Sequence, residues 1–220
     1  MILILAVAPP LLIAYYVYQK DKYDKEPKSL IIKSFLFGCL GIIPAIFLEL
    51  FAKGMFTSLF LYVFIGIALV EEGVKYFFLK KYLFNKPDFN EPMDGIVYGV
   101  TVSLGFATFE NYEYVFHWAE QWKIDPYQMA IWRSYSAVPL HGLAGCIMGF
   151  YFGKYAFTAD KKYLILSLLL PFIVHGFYNF LTYPYHFMIV GFAAIFSVVL
   201  HGDLKKLQIH KKEEKEIKKI

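Results

Sequence analysis

The sequence predicts an all-α polytopic membrane helix bundle of about seven transmembrane helices, with the N-terminus outside and the C-terminus cytoplasmic. Three observations carry that expectation. Hydrophobic residues make up 58% of the 220-residue chain and mean hydropathy is +0.48, too apolar for an ordinary soluble domain and too poor in polar residues for disorder. Apolar runs recur at lengths near the roughly 20 residues needed to cross a ~30 Å hydrocarbon core. Lysines cluster in alternate connections between those runs.

The first run, Met1 to Tyr18, ends at the charged stretch from Lys20 to Lys28 and carries Pro9-Pro10, which should kink it. With no positive n-region and no small-residue cleavage site, it reads as a retained span rather than a signal peptide. Leu30 to Phe51, Phe56 to Leu79, Ile96 to Phe116, Ile131 to Gly153, Tyr163 to Tyr183 and the shorter Phe187 to His201 follow. Asp94, in Glu91-Pro92-Met93-Asp94-Gly95, is expected to cap the fourth helix. Residues 1–201 thus read as one transmembrane domain and 202–220 as a Lys/Glu-rich cytoplasmic tail.

Orientation follows from the basic residues. Lys20, Lys22, Lys25, Lys28 and Lys33 mark the first connection, Lys80, Lys81 and Lys86 the third, Lys154, Lys161 and Lys162 the fifth, and Lys205 to Lys219 the tail. The second and fourth connections hold only Lys53, Lys123 and Arg133, and the sixth holds none. Cys39 and Cys146 lie inside apolar runs, with neither a disulfide framework nor metal spacing. No basic stripe with interleaved aromatics is present, so nucleic acid is not an expected partner; the lipid bilayer is. No internal repeat points to a transporter.

The third run is interrupted by Leu69-Val70-Glu71-Glu72-Gly73-Val74-Lys75. A charge near the bilayer centre costs about 2.5–3.5 kcal/mol on the most lenient scale, so three within five residues need a compensating reason. Lys75 can reach back to Glu71 or Glu72 on a helix, which an ion-pair staple would explain. A staple needs one acid, however, and the second is left over for acid–base work. Further polar residues recur in later runs: Glu110 with Asn111 and Tyr114, His141 beside Gly142 and Gly145, and His175 one turn from Asn179. Pro139 and Pro171 would free backbone carbonyls at Tyr135 and Ser167, loosening the helices near the histidines. Counted at ~1.5 Å per residue, Glu71, His141 and His175 all fall toward the middle of the membrane and are free to converge there.

The set Glu71-Glu72-x-x-Lys75, Phe109-Glu110 with Tyr114, His141-x-x-x-Gly145 and His175-x-x-x-Asn179, in that order on successive runs, resembles the PrsW family of bacterial intramembrane proteases. That family is related to the CAAX-processing endopeptidases and the bacteriocin-processing proteins. The lysine, and the glutamate after Phe109, favour the PrsW branch. The resemblance implies a multi-pass protease of the bacterial cell membrane that makes the site-1 cut in a membrane-spanning anti-sigma factor, releasing a sigma factor under envelope stress. It implies that Glu71 and Glu72 are the essential acids and His175 the catalytic histidine, with Glu110, His141 and Asn179 in support.

Chemically, one of Glu71 or Glu72 would take a proton from water while the other, with Lys75 as charge partner, tunes it. His141 or His175 would position the water, and Asn179 with a histidine would donate to the oxyanion. This glutamate chemistry, with no cofactor, is the leading expectation. A zinc site formed by Glu72, His141 and His175 ranks second, because no His-Glu-x-x-His motif is present. A proton-coupled carrier or sensor would use the same residues without cutting a partner. A structural self-immunity protein would not need them at all.

Overall fold

The computed structural model describes residues 1–21, 25–181 and 185–217, with side chains described as far as residue 203. Lys22, the Tyr183 end of the sixth run, and Lys218 and Lys219 of the tail lie outside the described residues. Helices α1 (Ile2–Lys20) and α2 (Lys28–Met55) come first. Helix α3 covers residues 59–83 without a break, but changes pitch. A π-helical stretch Tyr62–Ala68 precedes the α-helical Leu69–Phe78, and a second, Leu79–Leu83, follows it. Helix α4 covers 92–121, regular over Pro92–Glu113 and π-helical over Tyr114–Trp118. Then come α5 (Pro126–Tyr135), α6 (Ala137–Thr158), α7 (Lys161–Phe180) and α8 (Tyr185–Ile217). No strand occurs among the described residues.

The fifth apolar run is therefore not one helix. It divides at Ser136, whose φ of −123° and ψ of −74° end α5 and start α6. Pro139 falls in the first turn of α6, where a missing N–H has no intrahelical partner to lose. The loosening expected at Tyr135 is thus a complete break. Pro171 behaves otherwise: α7 passes through it, and the Ser167 hydroxyl donates to the Leu164 carbonyl at 2.7 Å. Helix α8 crosses the expected 201/202 boundary without interruption.

By length and composition, four helices among the described residues are able to cross a membrane: Ile2–Lys20, Lys28–Met55, Lys161–Phe180 and Tyr185–Asp203. Their outward faces carry exposed large side chains such as Phe47, Phe51, Ile165 and Ile195, as lipid-facing helices require. The chain is a multi-pass helical membrane protein. At its centre stands α4, buried continuously from Pro92 to Thr108. A helix covered on every side must let its neighbours approach closely, and here glycines on two helices do so. A Cβ at Gly95 or Gly99 of α4 would strike the backbone of Gly149 or Gly145 of α6, and the reverse holds for Gly145 and Gly149. Gly142, which the sequence also placed on this face, meets the Leu104 and Ile13 side chains at ordinary contact distance.

A second close approach seats α7. A Cβ at Gly176 would collide with the ring of Phe64, which lies in the π-helical turn of α3. The glycine after His175 thus draws α7 onto the turn that leads into Glu71-Glu72. Near the start of α4, Asp94 is not the cap itself. It occupies the third helical position of a capping box, and its carboxylate accepts from the backbone N–H of Asn90 at 2.7 Å and of Glu91 at 2.6 Å. The Tyr98 hydroxyl donates to Glu26 from the segment between α1 and α2. Burial pushes the Glu26 carboxyl up to about 7, with Asp21 and Asp88 adding to the shift and the Tyr98 and Asp94 hydrogen bonds opposing it.

Candidate active site

Helix α3 supplies two acids and one base on adjacent faces. The π-helical stretch over Tyr62–Ala68 widens the helix just before them, so that the Leu69 amide bonds to the Phe64 carbonyl five residues back. Glu71, Glu72 and Lys75 follow in regular α-helix, and all three are buried. Lys75 Nζ lies 2.8 Å from Glu72 Oε1 and 3.4 Å from Glu71 Oε2, above the Phe106 ring at 4.4 Å. The lysine therefore bonds both acids, and more closely the second.

The second acid is not left over in the way its segment suggested. His175 of α7 brings Nδ1 to 2.7 Å from Glu72 Oε1. A carboxylate accepts, so that nitrogen carries the hydrogen, and Nε2 faces Glu71 Oε2, 3.9 Å away. The other Glu72 oxygen, Oε2, is buried with no hydrogen-bonding partner among the described residues.

His141 of α6 is held in the same manner from another side. Its Nε2 lies 2.7 Å from Glu110 Oε2 and its Nδ1 lies 2.9 Å from Lys75 Nζ. With an acceptor at Nε2 and an ammonium at Nδ1, the hydrogen belongs on Nε2. The two imidazoles meet edge to face with centroids 5.1 Å apart. Five of the residues singled out in the sequence, Glu71, Glu72, Glu110, His141 and His175, together with Lys75, thus form one buried cluster built from α3, α4, α6 and α7. Asn179 is half-buried one turn beyond His175 and makes no hydrogen bond to the cluster among the described residues.

Sequence reasoning missed Arg133, counted there as an outer-loop charge. It is buried near the end of α5, with Nη2 at 2.7 Å from Glu110 Oε2, Nε at 2.6 Å from Asn111 Oδ1, and its guanidinium 3.7 Å from the Tyr114 ring centroid. Glu110, Asn111 and Tyr114 do share a face, as their spacing suggested, and the group they face is this arginine. A signal was available: Arg133 is the chain's one arginine among 22 basic residues, and arginine is the cation suited to planar, buried pairing.

Comparison with known proteins gives a family match over most of the chain. Residues 26–201 match the family model PrsW-protease, described as PrsW family intramembrane metalloprotease. The chain belongs to the PrsW family. Protease PrsW of Geobacillus kaustophilus is 42% identical over 179 residues, covering 80% of this chain and 76% of that protein. Protease PrsW of Bacillus subtilis is 39% identical over 181 residues, 80% and 79% of the two chains. Protease PrsW of Clostridioides difficile is 33% identical over 224 residues, 97% and 93%. No solved structure matches. The chain is thus a bacterial multi-pass membrane protein of an intramembrane protease family.

The PrsW description specifies a metalloprotease, and the residues present fit an ion. Glu71, His141 and His175, all buried, each offer a ligand atom, and these atoms lie within 4.8 Å of one another. One carboxylate and two imidazoles are a donor set suited to zinc. The set differs from the Glu72, His141 and His175 read from the sequence. Glu72 is engaged by His175 Nδ1 and Lys75, so Glu71 is the acid that faces both rings.

Proposed function

We propose that this PrsW-family chain is a metal-assisted intramembrane endopeptidase making the site-1 cut in a single-span anti-sigma factor during the envelope-stress response. The observation that carries the chemical part is that each histidine is fixed by its own carboxylate, His175 by Glu72 and His141 by Glu110. The other nitrogen of each ring lies on the Glu71 and Lys75 side: His175 Nε2 is 3.9 Å from Glu71 Oε2 and His141 Nδ1 is 2.9 Å from Lys75 Nζ. Carboxylate-backed histidines around an open position are what a hydrolytic metal site requires. Charge supports it too: Glu71, Glu72 and Glu110 outnumber the cations Lys75 and Arg133.

Glu71, His141 and His175 would hold the ion. When bound, it lowers the pKa of water and polarises the scissile carbonyl. The chain's own residues do the rest. Glu72 Oε2, buried without a partner among the described residues, takes the proton from the attacking water and returns it to the departing amine. Lys75, 2.8 Å from the neighbouring Glu72 oxygen, brings positive charge toward the developing oxyanion. Glu110 holds His141 in the Nε2–H form. Asn179, one turn along from His175, offers its amide to the substrate backbone.

Metal-free glutamate chemistry, placed first on sequence grounds, keeps one observation in its favour. Lys75 Nζ at 2.9 Å already engages the His141 nitrogen that an ion would need. Metal analysis of active protein separates the two, as does chelation followed by zinc addition. The protease reading itself is tested by co-expression with candidate single-span anti-sigma factors. A shortened product lost with Glu72→Ala supports it; unchanged partner mass, with transport or pH-gated signalling instead, favours the carrier or sensor.

A further inference from the structure

Arg133 is absent from every motif that carries the family resemblance, yet it holds Glu110, Asn111 and the Tyr114 ring next to the cluster. It lies at the centre of a continuous chain of hydrogen bonds. The Asn111 amide donates to the Ala6 carbonyl of α1 at 3.0 Å, and the Asn111 oxygen accepts from Arg133 Nε at 2.6 Å. Arg133 Nη2 donates to Glu110 Oε2 at 2.7 Å, and that same oxygen accepts from His141 Nε2 at 2.7 Å. Nδ1 of His141 then faces Lys75, 2.9 Å away.

The shared Glu110 oxygen is the informative feature. A buried carboxylate next to a neutral imidazole can turn either oxygen toward it, or lose it to another donor. Here the guanidinium fixes which oxygen is presented and where. Arg133 cannot drift, because its Nε is bonded to Asn111, its face lies 3.7 Å from the Tyr114 centroid, and Asn111 is tied to α1. A planar donor fork bonded at two points holds orientation as a lysine ammonium cannot. With Glu110 fixed, the His141 hydrogen stays on Nε2 and the Nδ1 lone pair stays aimed at Lys75 Nζ, in the cluster that also holds Glu71 and His175.

We propose that Arg133 is a positioning residue for His141: through Glu110 it sets the tautomer and aim of the ring that faces Glu71. This rests on the reading of His141 as a site residue given above. Arg133 touches neither Glu71 nor His175, and its part is played entirely through Glu110.

The test uses the full chain in lipid nanodiscs with ¹⁵N-labelled histidine, the His141 signal being assigned by its loss in His141→Gln. The wild type should show His141 with its hydrogen on Nε2. Arg133→Met should show a mixture of the two tautomers, and Arg133→Lys should recover part of the Nε2–H signal. With any substrate the wild type cuts, Arg133→Met should lower kcat about 10- to 100-fold, with KM changed less than about twofold. In a Glu110→Gln background it should cause no further loss, since the residue through which it acts has already been altered. An unchanged His141 signal in both Arg133 variants, or a kcat loss that multiplies in full with that of Glu110→Gln, would overturn the proposal and leave Arg133 as a packing residue. A wild type that cuts nothing would sink the protease reading instead, while the nitrogen spectra still decide the role of Arg133.

Discussion

Glu72 Oε1 lies 2.7 Å from Nδ1 of His175, a residue 103 positions further along the chain. That bond joins the third helix to the seventh inside the bundle and leaves the second Glu72 oxygen without a partner among the described residues. Glu72→Gln keeps an acceptor for His175 and removes the base. It should therefore leave a folded protein whose melting temperature moves little, with kcat down about 10²- to 10⁴-fold. Steady-state cleavage together with a thermal melt checks both halves. His175→Ala should also abolish cutting, but with a lower melting temperature, because it strips a partner from a buried acid.

The proposed metal-assisted mechanism makes a prediction through the Glu71, His141 and His175 triangle. Dialysis against a chelator should remove activity, and zinc should restore it. Glu71→Ala and His141→Ala should each lower zinc retained after gel filtration. Glu110→Gln, which alters the bonds to Arg133 and to the far nitrogen of His141, should weaken zinc binding by about 10- to 100-fold without abolishing it. Zinc titration by calorimetry reads that ranking directly.

Packing around α4 separates two glycines that the sequence does not distinguish. A methyl group at Gly99 would meet the Gly145 carbonyl, whereas at Gly73 it would meet nothing within 4 Å. Gly99→Ala should destabilise the protein by about 1–3 kcal/mol. Gly73→Ala, in an open helical position, should be neutral or stabilising by about 0.5–1 kcal/mol. Equilibrium unfolding in mixed micelles reports both.

What could be read in advance was what local spacing determines. Glu71, Glu72 and Lys75 lie within reach of one another on any helix, and their cost in lipid marks them as more than surface charge. The length of continuous hydrophobic stretches likewise gave the apolar runs. Which acid faces which histidine was not legible, because that choice depends on the π-helical turn before Leu69 and on Gly176 drawing α7 onto Phe64. The break at Ser136 was hidden inside Ile131 to Gly153, which the sequence offered as one run. Arg133 was read as a topology marker, since its partners Glu110 and Asn111 sit more than 20 residues earlier in the sequence and meet it only when α4 and α5 are packed together.

Outside the spans, Glu26 carries a pH dependence. Its folded value of about 7 lies above the ordinary 4.5, raised mainly by burial. The folded state thus holds this proton more tightly than the unfolded chain does. That contribution to stability is complete below about pH 4.5, falls away as pH rises toward about 7, and is gone above it. Melting temperature should decline across that window in the wild type. Glu26→Gln keeps an acceptor for the Tyr98 hydroxyl and should flatten the curve, leaving the variant more stable than the wild type at about pH 8.

The gathering of acids and imidazoles from separate helices into one hydrolytic centre is tested most directly by fragment mass spectrometry. The measurement takes a single-span substrate incubated with purified full-length protein, as wild type, Glu71→Gln and Glu72→Gln. The expected result is a single pair of fragments from the wild type, rising with time, and neither fragment above background from either variant. Equal cleavage rates for all three proteins would contradict it.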